Sequence, residues 1–249
     1  MDIGKFVVER VESIYALDPA DDSLLFILDE PTQGSLESAM ETVWAEGKGG
    51  RRLYGLDNSK TATFTASNGY LVTAALAAQT GSAVTNIADV TGGVSVPVIE
   101  YIRPAGGTLT LTYTPVAGTV KYIYEANSDL TQGKKIDVSA NGKTITIPQD
   151  STATLYIVTY DRNVTTGNVI TNDSETYTKN AKVVFTILCH EACDMNTAIY
   201  TLLVFPNAKI DGNFTLDISG DAVVQEISIE AMADVCDVDK VYWRWFFLD

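Results

Sequence analysis

The chain has 249 residues, 46 % hydrophobic and 20 % charged, a globular composition too apolar for a disordered chain. Seventeen Lys and Arg stand against 32 Asp and Glu, a net charge of −15, which excludes a protein that grips nucleic acid through a basic surface. Apolar runs such as Leu24–Leu28 and Tyr200–Pro206 fall far short of the ~20 residues that a membrane-spanning helix needs.

The charge is uneven. Residues 1–30 hold eight acids and two bases, residues 211–249 nine and two, and the stretch between them 15 and 13. A solvated acidic face that aids solubility accounts for this, and so does one functional surface built from both ends. The opening Met1-Asp2-Ile3-Gly4 has no basic-then-apolar signal pattern, and three cysteines are too few for a disulfide framework. Both point to folding in a reducing cytoplasm. The sequons at Asn163, Asn172 and Asn213 then read as chance matches.

In chain order, Val7–Val11 and Leu24–Leu28 read as strands. Residues 35–46 fit two periods: Leu36, Met40, Val43 and Trp44 recur as on a helix, while Leu36, Met40 and Trp44 also share one side of a strand. Glu46-Gly47-Lys48-Gly49-Gly50-Arg51-Arg52 is a flexible, locally basic loop, and Lys60–Ala66 alternates as a strand. The stretch from Ser67 to Gly81 predicts a helix capped by Ser67 or Asn68 and ended by Gly81, with Leu71, Ala75 and Leu76 on one face. From about 95 to 165 short strands dominate: Thr108–Tyr113, Val120–Tyr124, a hairpin around Asn141-Gly142, and Leu155–Tyr160. Strands are expected again at Val183–Cys189, Ala198–Phe205, Gly212–Ile218, Val223–Ala233 and Val241–Leu248. In Val223–Ala233 an apolar face of Val223, Ile227, Ile229, Ala231 and Ala233 opposes Glu226, Ser228 and Glu230, with a slip near Gln225. The last strand puts Tyr242, Arg244 and Phe246 on one face and Trp243, Trp245 and Phe247 on the other, as in a strand covered on both sides by its own fold or by a neighbouring subunit.

Chemistry finds little purchase. His190 is the single histidine, so any Ser-His-Asp or Cys-His mechanism would have to use it. Cys189, His190, Cys193 and Cys236 are zinc-ligand types, but the C-x3-C spacing is wrong and neighbouring strand residues face opposite ways. Small buried thiols beside a turn histidine account better for them. Gly142-Lys143-Thr144 resembles the end of a phosphate loop, yet the upstream glycine position holds Asp137. No catalytic residue, cofactor or metal is expected.

The order of features resembles the tail tube (major tail) proteins of long-tailed bacteriophages. Four segments carry the likeness: Gly34–Gly50 followed by Thr61–Thr65; Asn68-Gly69-Tyr70-Leu71 to Gln79-Thr80-Gly81; Thr114–Val120; and Phe205–Phe214 leading into the closing strands. The resemblance implies a mainly β, tail-tube-type β-sandwich or barrel with one flanking α-helix and an inserted small β subdomain. Its core would be residues 1–94 and 181–249, with the helix near 69–80 and the insert at 95–180. It implies a structural virion protein, located in the tail and assembled in the host cytoplasm. Hexameric rings would stack into a tube that conducts viral double-stranded DNA without binding it. Tape-measure and tail-terminator or baseplate proteins would be partners, with no membrane involved. In such proteins a long hairpin in the first third reaches a neighbouring subunit, which resolves 35–60 toward an extended hairpin with the inter-subunit candidates Glu46, Gly47, Lys48, Gly49, Gly50, Arg51 and Arg52 at its tip. Glu226 and Glu230 are the candidates for an acidic bore. The alternative is an immunoglobulin-like virion-surface or extracellular adhesion module, which explains the 95–180 segment but not the helix. A metal-dependent enzyme is third.

Overall fold

The computed structural model describes residues 5–192, 194–215, 225–233 and 239–248. Its strands are β1 (Phe6–Leu17), β2 (Leu24–Leu28), β3 (Pro31–Gly47), β4 (Arg51–Asn68), β5 (Val84–Asn86), β6 (Val94–Ile102), β7 (Thr108–Thr110), β8 (Tyr122–Ala126), β9 (Gln132–Asp137), β10 (Ala140–Asn141), β11 (Thr144–Thr146), β12 (Tyr156–Val164), β13 (Asn168–Ile170), β14 (Asn180–Glu191), β15 (Asp194–Ile210), β16 (Gln225–Ala231) and β17 (Arg244–Phe247). The one α-helix among the described residues is α1 (Thr73–Thr80). The fold is thus mainly β, with several antiparallel sheets and a short helix. The chain divides into two compact units, Met1–Val84 with Ile170–Asp249, and Thr85–Val169.

In the first unit the sheet runs β2-β1-β14-β15-β16-β4-β3, with β17 on the free stretch of β15. β3 comes back against β1, so the sheet curls round a single core. Alternation decides what enters that core. Val183, Phe185, Ile187 and Cys189 of β14 point inward beside Leu203 and Phe205 of β15, Ile227 and Ile229 of β16, and Ala62 and Phe64 of β4. Phe64 packs against Phe185 with ring centroids 3.9 Å apart, and Phe185 meets Phe205 edge-on at 5.5 Å. Such pairs add about 0.5–1.5 kcal/mol beyond area burial.

The helix departs from its sequence reading at its start. Ser67 and Asn68 remain in β4, Leu71 stays outside the helix, and α1 begins at Thr73 after Val72, with no local side-chain cap. The cap comes from far along the chain. Gln225 Oε1 accepts the Val72 N–H at 2.8 Å, Gln225 Nε2 donates to Gln79 Oε1 at 3.2 Å, and Gln79 Nε2 donates to the Glu226 carbonyl at 2.8 Å. Gln225 and Gln79 are both buried. The slip expected near Gln225 does not occur: Gln225 stays on the inward face with Ile227 and Ile229, because its amide closes the helix end. Replacing Gln225 with Leu strands the Val72 N–H and Gln79 Oε1. It is expected to cost about 3 kcal/mol and to lower Tm by roughly 6–12 °C in a thermal melt.

Two other boundaries differ. Residues 212–215 are not in a strand, and 216–218 of that expected strand, like Val223, lie outside the described residues. The final strand is the short β17. Trp245 packs on the core and donates its indole N–H to Thr201 Oγ1 at 2.9 Å, while Phe247 stacks on Trp245 and on Phe6. Phe246, Phe247 and Leu248 stay exposed, while Tyr242, Trp243 and Trp245 pack on the core, so the fold covers the start of this aromatic segment and leaves its end open.

The second unit is a small β-sandwich. A four-stranded sheet, β6-β12-β8-β9, and a three-stranded sheet, β10-β11-β7, enclose Leu109, Ile123, Ile136, Ile145, Tyr156 and Val158. The Tyr160 hydroxyl donates to Glu100 at 2.6 Å and accepts the Tyr113 N–H at 3.2 Å. Burial, then that bond to Glu100, pushes the Tyr160 phenol up to about 12.

Candidate functional site

The longest strands make the most prominent surface feature. β3 and β4 pair over nearly their full length, from Pro31↔Asn68 to Gly47↔Arg51. At the base, Leu36 packs on the core opposite Phe64. Beyond Ala62 no residue of β4 back to Arg51 is buried, so the outer ten pairs or so form a two-stranded arm about 30 Å long. Residues 35–60 are therefore an extended hairpin, and the helical reading of Leu36, Met40, Val43 and Trp44 does not hold.

Among the charged and polar residues of the arm stand six exposed large apolar side chains, Met40, Val43, Trp44, Leu53, Tyr54 and Leu56. Met40 and Trp44 lie on the side continuous with the core, and Val43, Tyr54 and Leu56 on the other; Leu53 is the extra residue of a bulge near the tip. Met40 is 57 % exposed and Leu53 66 %. Trp44 lies over Gly55, where a Cβ would come within 2.8 Å of Thr42 and 3.1 Å of the indole, and the Arg52 guanidinium stacks on the same ring at 4.9 Å. Glu46 pairs with Arg52 and Gly47 with Arg51, and Lys48-Gly49-Gly50 make the turn, so all seven loop candidates sit at the arm's tip. The exposed apolar side chains behind them were missed by sequence reasoning. Their signal was the apolar residue on both parities of a strand.

The second feature is the outer face of β16, β4 and β3. Glu226 stands opposite Ser67, Ser228 opposite Thr65 and Glu230 opposite Thr63. The next strand places Gln33 beside Ser67, Ser35 beside Thr65 and Glu37 beside Thr63. Glu226 and Glu230 are both exposed, and this three-strand patch is polar throughout with three carboxylates and no base. The nearest cation in register is Lys209 of β15, opposite Glu230. By sequence, Thr85–Val169 holds seven acids and six bases, so nearly all of the −15 belongs to the unit that carries this face.

The cysteine and histidine candidates do not converge. Cys189 is buried against Thr201, and His190 points the other way, its Nε2 2.5 Å from Glu9 Oε2. That bond to His190 holds the Glu9 carboxyl below its ordinary value. Cys193 and Cys236 lie outside the described residues. Among the described residues, no three His, Cys, Asp or Glu side chains are grouped to hold a metal ion.

The geometry is that of an assembling protein: a polar, acidic sheet face, and an arm that its own chain leaves uncovered. A comparison with curated proteins gives no match. A family model, described as the YomU/Tube protein family, matches residues 6–243, nearly the whole chain. The chain therefore belongs to the YomU/Tube protein family, a family of phage tail tube proteins, as the order of its sequence features indicated.

Proposed function

We propose that this chain forms hexameric rings that stack into the hollow tail tube of a phage, with the β3–β4 arm engaging a neighbouring copy and the β16–β4–β3 face turned to the bore. Family membership already carries a structural, non-enzymatic role, self-assembly and a place in the virion tail. The observation that carries the finer reading is the arm. An isolated two-stranded ribbon is marginal in water, and exposed apolar side chains on both of its faces call for a second surface. The carboxylate face suits the conduit, because Glu226, Glu230 and Glu37 repel phosphate and let double-stranded DNA slide past without sticking.

Negative-stain microscopy of the purified protein tests the assembly: hollow tubes or rings of uniform width support it, and monomers under all conditions contradict it. The bore is tested by charge reversal. Tubes of a Glu226→Lys, Glu230→Lys double variant are expected to retard linear duplex DNA in a low-salt gel, and wild-type tubes to leave it unretarded, with the difference fading as salt rises. Equal mobility with the two proteins would remove Glu226 and Glu230 from the DNA path.

A further inference from the structure

One groove in the arm-bearing unit has the chemistry to receive the arm. β2 is the edge strand at one end of the sheet, and α1 packs beside it. Between them runs a groove of about 340 Å³ lined by Leu24, Leu25, Ala74, Ala78, Val84 and Ile210. That volume lies at the lower end of the ~300–1,000 Å³ of binding clefts, and it is open, with Leu24 56 % exposed.

The rim is acidic. The turn that leads into Leu24 carries Asp18, Asp21 and Asp22. On the other side, Gly81 at the end of α1 lies against the backbone of Tyr177, two residues after Glu175 and four after Asp173. Lys179 and Lys182 offset these five acids in part, Lys182 by pairing with Asp22 at 2.9 Å. The arm's tip has the complementary set: Lys48, Arg51 and Arg52 surround the exposed Leu53, with Glu46 as the only acid there.

A tip cannot fill its own groove. β2 ends three residues before β3 begins and α1 starts five residues after β4 ends, so the groove lies near the root of the ribbon. The tip is a 17-residue strand away, about 55 Å. The occupant that fits is the tip of a second copy.

We infer that the arm tip of one copy docks into the α1–β2 groove of another, Leu53 entering the apolar groove while Lys48, Arg51 and Arg52 face the Asp18–Asp22 turn. This names the acceptor for the arm and rests on the reading that the arm engages a neighbouring copy. The contact is head-to-tail, because tip and groove are different surfaces. Such contacts close into rings or propagate as filaments.

The test places a photoactivatable benzoylphenylalanine at Leu53 in the full chain, assembles it from a mixture of isotope-labelled and unlabelled protein, and maps the crosslink by mass spectrometry. The expected product joins position 53 of one copy to residues 73–84 or Leu24–Leu25 of another. An Ala78→Arg variant, which fills the groove mouth at a half-buried position, is expected to cut that product at least tenfold while its circular dichroism stays that of the wild type. Assemblies that form with crosslinks mapping elsewhere, or that keep the crosslink in Ala78→Arg, overturn the inference and leave the tube reading standing. A chain that never assembles overturns both.

Discussion

Replacing Glu41–Ser59 with Asn-Gly, so that Met40 closes directly onto Lys60, is expected to give a protein that folds and does not assemble. Met40 and Lys60 are paired in register, and Asn-Gly supplies the two-residue turn that fits between antiparallel strands. The excised residues contribute nothing to the core, whereas Leu36, Ala62 and Phe64 remain. The change in stability should be within about 1 kcal/mol, and Tm within roughly 4 °C of wild type. Assembly should fall from complete to none, read by microscopy and by light scattering of the eluted species. Tubes formed by the shortened protein would show that the arm is not the assembly element.

Gly81→Ala should act in the opposite way, on folding rather than on assembly. Gly81 ends α1 with φ +74°, and its N–H and that of Ser82 close back on the carbonyls of Ala78 and Ala77. A Cβ here would lie 2.3 Å from the Tyr177 carbonyl oxygen and 2.5 Å from its carbon. Backbone on both sides cannot swing aside as a side chain can. The left-handed conformation costs Ala about 1 kcal/mol, and the overlap adds about 2 more. A fall in Tm of roughly 6–12 °C is expected. A fall below about 2 °C would mean that the 171–179 segment does not close against the helix end.

The difference between these two sites explains what the sequence disclosed. Gly81 was legible as a helix stop, because the αL requirement is local and only glycine meets it without strain. The strands of β14 and β16 were legible too: β16 alternates because one face is buried, and β14 reads as an apolar run because Val184 and Leu188 are buried on one face as Phe185 and Ile187 are on the other. The helix start was not. Its cap is Gln225, 153 residues downstream of Val72, and no local pattern of Ser, Thr, Asp or Asn can report a partner at that distance. The arm was the hardest case. Periodicity is a record of burial, and residues 40–57 are not buried by their own chain, so Met40, Val43 and Trp44 satisfied a helix and a strand equally well. Resemblance to tail tube proteins resolved that segment. The exposed apolar side chains supply the physical reason for its ambiguity: with no core of their own chain to face, they carry no single period.

The acid surplus has a comparable history. Its distribution along the sequence fits a solvated face and a functional surface alike. In the structure it belongs almost entirely to the arm-bearing unit, and three of its carboxylates share a face of β16, β4 and β3 with Ser, Thr and Gln, Lys209 of β15 standing opposite Glu230 at its border. A face of this kind neither packs nor sticks to phosphate, which is what a DNA conduit requires of its wall.

Cryo-electron microscopy of the self-assembled protein tests that claim most directly. The expected result is stacked rings of six with a central channel, and Glu226, Glu230 and Glu37 on the channel wall. Rings in which Glu226 and Glu230 lie on the outer surface, with the channel lined by other residues, would contradict it.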